Sequence, residues 1–354
     1  MKDEKTAPTT VTQNTFQGIS GVKFLIAGAS FVILVSGLKA AQAILIPFMF
    51  AFFLALLASG PIYWLKRKKV PSWIAVLIVT FFIIALFVFV ATLLVNSVNQ
   101  FSERLPHYSQ NLNQLNSDLA AYFKKYNFDS TQIFGSINLN DYMTIFTKTL
   151  KGTVQAVSSF VVIIIMMIFM TLEAASFRSK VKVALKDKVD MLRFDGIAMD
   201  VQKYLVIKTF MSFVTGVLVG LWTWIIGLDF PLLWAMVAFI LNYIPFIGSI
   251  VAAIPAIIFA SLQLDLASAI TLTIGYLVIN IGLSNFVEPF LMGKRLGLSV
   301  LIVFLSLMFW GWVWGPAGAL MSVPLTMIVK ILFEHSSELH WVGVMMGNTS
   351  KIKN

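Results

Sequence analysis

Cysteine is absent from all 354 residues, so neither disulfides nor thiolate metal sites can form. Charge is scarce as well. Charged residues make up 12% of the chain, against roughly 25% in soluble domains, too few to clothe a water-facing surface of ordinary size. Phosphate-binding glycine loops and G-x-S-x-G elbows are missing, which leaves ATP-driven pumping by this chain and triad hydrolysis without support. The three histidines are His107, His335 and His340. The last two bracket Glu338 in the order H-x-x-E-x-H, which does not put both imidazoles on one helical face as H-E-x-x-H does, so no metal site is expected. The chain reads as a non-enzyme that needs no cofactor.

What is present is apolar. Hydrophobic residues reach 58% and fall in long blocks, the mark of membrane-spanning helices rather than of barrel strands, which alternate over about ten residues. The net charge of +10 does not point to nucleic acid, because the basic residues flank apolar blocks, where they orient helices. The first 21 residues are polar with no cleavable signal pattern, and the first block, Val22 to Leu38, reads as a retained span.

The apolar blocks are 22–38, 43–65, 73–95, 153–173, about 200–226, 232–262, 266–286 and 298–333. Lys66, Arg67, Lys68 and Lys69 place the second connection in the cytoplasm, residues 96–152 outside, and the basic stretch from Arg178 to Arg193 inside. Two blocks are too long for one crossing. At about 1.5 Å per residue, 232–262 would reach roughly 46 Å and 298–333 roughly 54 Å, against a hydrocarbon core of about 30 Å. Each is broken near its middle, by Pro245 with Gly248 and by Gly315, Pro316 and Gly318. Folding each into a re-entrant hairpin resolves the length and returns Lys294 and Arg295 to the cytoplasm. The expected architecture is all-α: a polytopic membrane protein with about six full transmembrane helices and two broken hairpins. Its parts are an N-terminal tail (1–21), three helices (22–95), an extracytoplasmic amphipathic segment (96–152), a fourth helix with a basic amphipathic stretch (153–204), a transport core (205–333) and a tail (334–354), both termini being cytoplasmic in a bacterial plasma membrane.

Tyr204-Leu-Val-Ile-Lys208 returns as Tyr276-Leu-Val-Ile-Asn280, Gly227-Leu228 as Gly297-Leu298, Pro245 as Pro316 and Ile254-Pro255 as Val323-Pro324. The offsets are all about 70 residues, either an inverted repeat spanning about 200–262 and 266–333 or the chance likeness of aliphatic helices. Outside the membrane, Phe101, Leu105, Tyr108, Leu112, Leu115, Leu119, Tyr122 and Tyr126 form a heptad seam, which packs either on the protein's own surface or on another protomer.

Polar residues inside the apolar blocks are the candidates for function, since an ionisable group there is costly. Asn280, Ser284 and Glu288 share a face at i, i+4 and i+8, with Asn285 beside them, and Pro289 predicts a loosened helix at Glu288. Glu288 is either an interfacial carboxylate neutralised by Lys294 or Arg295, or a solute or proton site. Lys208 either snorkels to the cytoplasmic surface or pairs with a buried acid or an anionic solute. Asn242, Tyr243, Pro245, Gly248 and Ser249 mark the first break, and Gly315, Pro316, Gly318 and Ser322 the second. Non-helical backbone at membrane depth must be buried in protein or line a polar cavity, and its half-helix ends are ready solute ligands.

The stretches LNYIPFIGSIVAAIP, from Leu241 to Pro255, and NFVEPFLMGKRLGLSVLIVFLSLMFWGWVWGPAGALMSVPLTMIVKI, from Asn285 to Ile331, resemble the signature of the autoinducer-2 exporter family. Tyr204–Thr209 and Ile46-Pro47-Phe48 fit as well, and the likeness runs from about residue 22 to 335, weakest over 96–152. The resemblance implies an exporter not driven by ATP, with two hairpins near the solute path and a homo-oligomeric, plausibly pentameric, assembly. It leaves open whether the solute is autoinducer-2 or whether sodium exchanges for protons. Three readings follow: export of a small polar neutral solute, cation/proton antiport through Glu288, or a non-transporting scaffold or sensor. The broken helices argue against the third, and the excess of neutral polar groups over buried carboxylates favours the first.

Overall fold

The computed structural model describes residues 21–125, 148, 152, 160–184, 191–292, 298–336 and 338–347. Among these residues the chain is helical with no strand, the form an apolar chain must take where lipid offers its backbone no hydrogen bonds. It is a polytopic membrane protein. Residues 1–43 and 44–354 form two compact units. The first contains α1 (Gly21–Ala40), whose Leu25, Phe31 and Ile33 lie exposed, as a helix bathed in lipid requires.

In the second unit, α2 (Gln42–Arg67) ends on Lys66 and Arg67, and a turn through Lys69, at φ 65°, leads to α3 (Ser72–Lys125). At 54 residues α3 far exceeds one bilayer. The helix does not stop where the apolar block ends at residue 95, because polar side chains leave its backbone ladder intact. Of the heptad seam, Phe101 is 1% exposed and packs on this chain's own aromatics. Tyr126 and the other seam side chains lie outside the described residues. Then come α4 (Phe160–Ala184) and α5 (Met191–Ile226). Of the basic stretch, Arg178, Lys180 and Lys182 lie in α4, with Lys180 paired to Glu173 on its surface, and Arg193 lies in α5; Lys186 and Lys188 lie outside the described residues.

The first long block is a hairpin. α6 (Pro231–Leu241) and α7 (Gly248–Gln263) are separated by a non-helical turn at Asn242–Ile247. The turn is tight: a Cβ at Gly248 would collide with the Leu241 carbonyl, and Phe246 takes φ 61°. The open end is tied by one side chain, since Gln263 accepts from the Asp229 N–H (2.7 Å) and donates to the Gly227 carbonyl (3.1 Å). Thus 227–229 and 263 lie together, as a hairpin demands and a straight crossing forbids. α6 seats on α5 through Gly216 and Gly220, where added Cβ atoms would come within 2.8 Å of the Ala235 carbonyl oxygen and Cβ, the close approach that small residues one turn apart permit. Trp234 and Phe259, both 0% exposed, join Phe101 and Phe230 in the core between the hairpin and α3.

Asp265 caps α8 (Leu266–Gly282) by accepting from the Ser268 N–H at 2.7 Å. A π-helical segment, Leu283–Val287, then leads into α9 (Glu288–Met292). The second long block, α10 (Val300–His335), doubles back at Gly315, whose φ 61° and ψ −145° suit glycine alone. Its arms are joined by Ser306, which donates to the Ser322 carbonyl (2.8 Å) and accepts from the Thr326 hydroxyl, itself reached by the Trp310 indole (3.0 Å). A straight helix would hold Ser306 and Ser322 about 24 Å apart. Past the hairpin, α11 (His340–Met345) folds back, with Met346 accepting from the Ser299 N–H and Gly343 against Glu334. Residues 340–346 of the tail are thus docked on α10. Each half of 200–333 therefore contains a helix followed by a hairpin.

Candidate functional site

α5 carries a buried polar stripe, Lys208, Ser212 and Thr215, which are 5%, 0% and 3% exposed. Their spacing of four and three residues sets them on one face. Thr215 satisfies its hydroxyl on the Met211 carbonyl within the helix, whereas Lys208 and Ser212 reach outward to other elements. The tip of the first hairpin meets this stripe. Asn242 donates to Ser212 Oγ at 3.1 Å, and the Tyr243 hydroxyl donates to Thr209 Oγ1 at 2.8 Å. Asn242 caps the C-terminus of α6, its N–H still bonded to the Ala238 carbonyl, and Ser212 occupies its carboxamide.

The Lys208 ammonium is bound to Glu288. Its Nζ lies 2.9 Å from one carboxylate oxygen and 3.2 Å from the other, with the side chains 7% and 17% exposed. Of the alternatives the sequence leaves open, Lys208 pairs with a buried acid instead of snorkelling, and Glu288 takes its counter-charge from α5. Lys294 and Arg295 lie outside the described residues. Tyr204, one turn before Lys208, is buried as well.

The π segment explains how Glu288 reaches this partner. Its backbone N–H bonds to the Leu283 carbonyl, five residues back, so the turn is wider than α-helical and the side chains that follow are rotated. The face expected to carry Asn280, Ser284 and Glu288 is split as a result. Asn280 is half-buried, Ser284 and Asn285 are exposed, and Glu288 turns inward. The loosening predicted from Pro289 is present, one turn earlier than the proline.

The remaining candidates fall in two places. Pro245, Gly248 and the half-buried Ser249 shape the first tip beside Asn242 and Tyr243. Gly315, Pro316, Gly318 and Ser322 belong to the second hairpin, where Ser306 and Trp310 bond across to the Ser322 carbonyl and Thr326 in the other arm, while the Ser322 hydroxyl donates to the Ala319 carbonyl within its own arm. Thr209, Ser212, Ser306 and Thr326 escaped the sequence reading. The signal for Ser212 was the 208, 212, 215 spacing. Among the described residues there is no cluster of His, Cys, Asp or Glu that could hold a metal ion.

A family model described as "AI-2E family transporter" matches residues 28–338. The chain is 34% identical over 338 residues to a "Putative transport protein" of Haemophilus influenzae, covering 93% of this chain and 97% of that one. It is equally 34% identical to the "AI-2 transport protein TqsA" of Escherichia coli K12, covering 94% and 98%, and 30% identical to that bacterium's "Putative transport protein YhhT", covering 93% and 95%.

Proposed function

The chain belongs to the AI-2E transporter family, and we propose that within it this protein exports a small, polar, largely neutral solute by alternating access, with the two hairpins as gates. The observation that carries this reading is the Lys208–Glu288 pair, buried where the first hairpin tip meets α5. An ion pair in an apolar bundle is expensive to desolvate and poor as a source of stability, so its place beside a helix break and a π segment favours a working role. Proton arrival at Glu288 would neutralise the carboxylate and free the Lys208 ammonium, loosening the contact between α5 and α9. Thr209, Ser212, Asn242 and Tyr243 would exchange bonds with one another for bonds with solute as the tip withdraws. The relative from Escherichia coli is named for AI-2 transport, which makes autoinducer-2 the first solute to test.

A second reading, cation/proton antiport, draws on the same pair, because the Lys208 ammonium sits where a small cation would bind Glu288. The protein works in either case in a bacterial plasma membrane with both termini in the cytoplasm, as a homo-oligomer that takes no cofactor.

Both readings are tested with purified protein in liposomes, following autoinducer-2 and sodium under an imposed pH gradient. Glu288→Gln keeps the shape of the side chain and cannot ionise. It is expected to bind autoinducer-2 as the wild type does while losing the acceleration given by the gradient. Wild-type transport with unchanged pH dependence in Glu288→Gln removes the coupling role, and gradient-driven sodium flux without autoinducer-2 flux selects the second reading.

A further inference from the structure

At the opposite end of α6 from the ion pair, the end of the α3 span and the segment entering the first hairpin line an open cavity of about 440 Å³. We propose that this cavity is a second solute station, which takes a small neutral polyhydroxylated molecule; the proposal rests on the transport reading above.

One wall is a polar face of α3, on which Asn96, Ser97 and Gln100 fall within about one turn of each other. The facing wall is Asp229, Phe230 and Leu232. This wall is held from behind. The Asp229 N–H is bound by Gln263 and its carbonyl by the Trp234 indole at 2.9 Å. Phe230 sits at φ 60°, a conformation a bulky residue adopts only when its surroundings impose it. Here the rings of Phe101 and Phe259 flank it at 5.8 and 6.0 Å. Phe230 is also the residue at the cap of α6 and offers the first turn no side-chain acceptor. A serine or aspartate would serve that turn better, so the position gives up helix capping for an aromatic residue that packs in the core and borders the cavity.

The ligand class follows from the donor set. Two carboxamides and a hydroxyl both donate and accept, and the carboxylate accepts only. Hydroxyl groups match that set, an aromatic ring can pack against their carbon skeleton, and an anion would face Asp229. The volume is that of a site for an organic molecule and far exceeds what a bare ion needs. α6 joins the two stations, since its first turn lines the cavity and Asn242, which follows its last turn, bonds to Ser212. They lie about 16 Å apart along the helix.

The test uses occupancy, not flux. Ser97→Cys is nearly isosteric and provides the chain's one cysteine. Its reaction with a maleimide is followed in the full-length protein in liposomes, with D-ribose, choline and acetate as neutral, cationic and anionic probes. Ribose is expected to slow modification about fivefold at about 100 mM, the factor given by one plus the ratio of its concentration to a Kd of about 25 mM, with choline and acetate leaving the rate unchanged. Adding Asp229→Asn or Gln100→Ala should abolish the protection. Absence of protection by ribose, equal protection by acetate or choline, or protection that survives both added substitutions overturns the proposal. A failure of gradient coupling in Glu288→Gln leaves this readout unmoved, so the two ideas fail separately.

Discussion

An ammonium and a carboxylate buried side by side must satisfy one another, since neither finds water among apolar helices. Lys208 and Glu288 do so at 2.9 Å. Removing one partner strands the other, at a cost of about 3–5 kcal/mol, while replacing both with uncharged groups of similar volume is close to neutral. Lys208→Met is therefore expected to lower the thermal stability of the detergent-purified protein markedly, and Lys208→Met with Glu288→Gln to restore most of it. A double variant no more stable than the single one would mean that the charges are not each other's partner. The sequence marked both residues as out of place in apolar helices but could not join them, because they lie 80 positions apart and meet only through the packing of α5 on α9. The shared face of Asn280, Ser284 and Glu288 failed for a local reason: it assumed 3.6 residues per turn, and the π segment Leu283–Val287 widens that turn.

Among the elements, the two hairpins were the most legible, because length against bilayer thickness and the placement of Pro245, Gly248 and Gly315 are properties of the chain alone. The seating of α6 on Gly216 and Gly220 was not, since a small residue announces room without saying what fills it. The sharpest element-level expectation concerns the second turn. Gly315 adopts a backbone region closed to other residues, so Gly315→Ala should cost about 1–3 kcal/mol. Gly318→Ala should also destabilise, its Cβ driven into the Trp310 carbonyl. Gly311→Ala, where a new Cβ would meet only the Ala319 Cβ at 3.9 Å, is the neutral control. Melting temperatures of the three variants decide it, and equal values for Gly315→Ala and Gly311→Ala would rule out the fold-back at residue 315.

For the whole molecule, sidedness is the open quantity that a cysteine-free chain makes measurable. Lys69 follows α2 at one end of the α3 span, while Leu232 and Leu264 flank the tied mouth of the first hairpin, which packs near the other end. Single cysteines at Leu232 and Leu264 are expected to react with an impermeant reagent from outside intact cells, and one at Lys69 only after the membrane is opened. Labelling of 232 and 264 from opposite sides would make 232–262 a crossing. Lysine and arginine counts were sufficient to propose this arrangement, whereas the extent of α3 to Lys125 was hidden because a helix ends where its hydrogen bonds end, not where its hydrophobicity does. The Gln263 bridge between Gly227 and Asp229 has a mechanical consequence. With its mouth stapled shut, the first hairpin cannot spread like scissors; it can only swing as a paddle about that staple. The 16 residues of α7 make a lever of about 24 Å, on which a rotation of about 10° carries the tip about 4 Å, longer than any hydrogen bond it makes there. A small torque at Gln263 would thus release Asn242 and Tyr243 together.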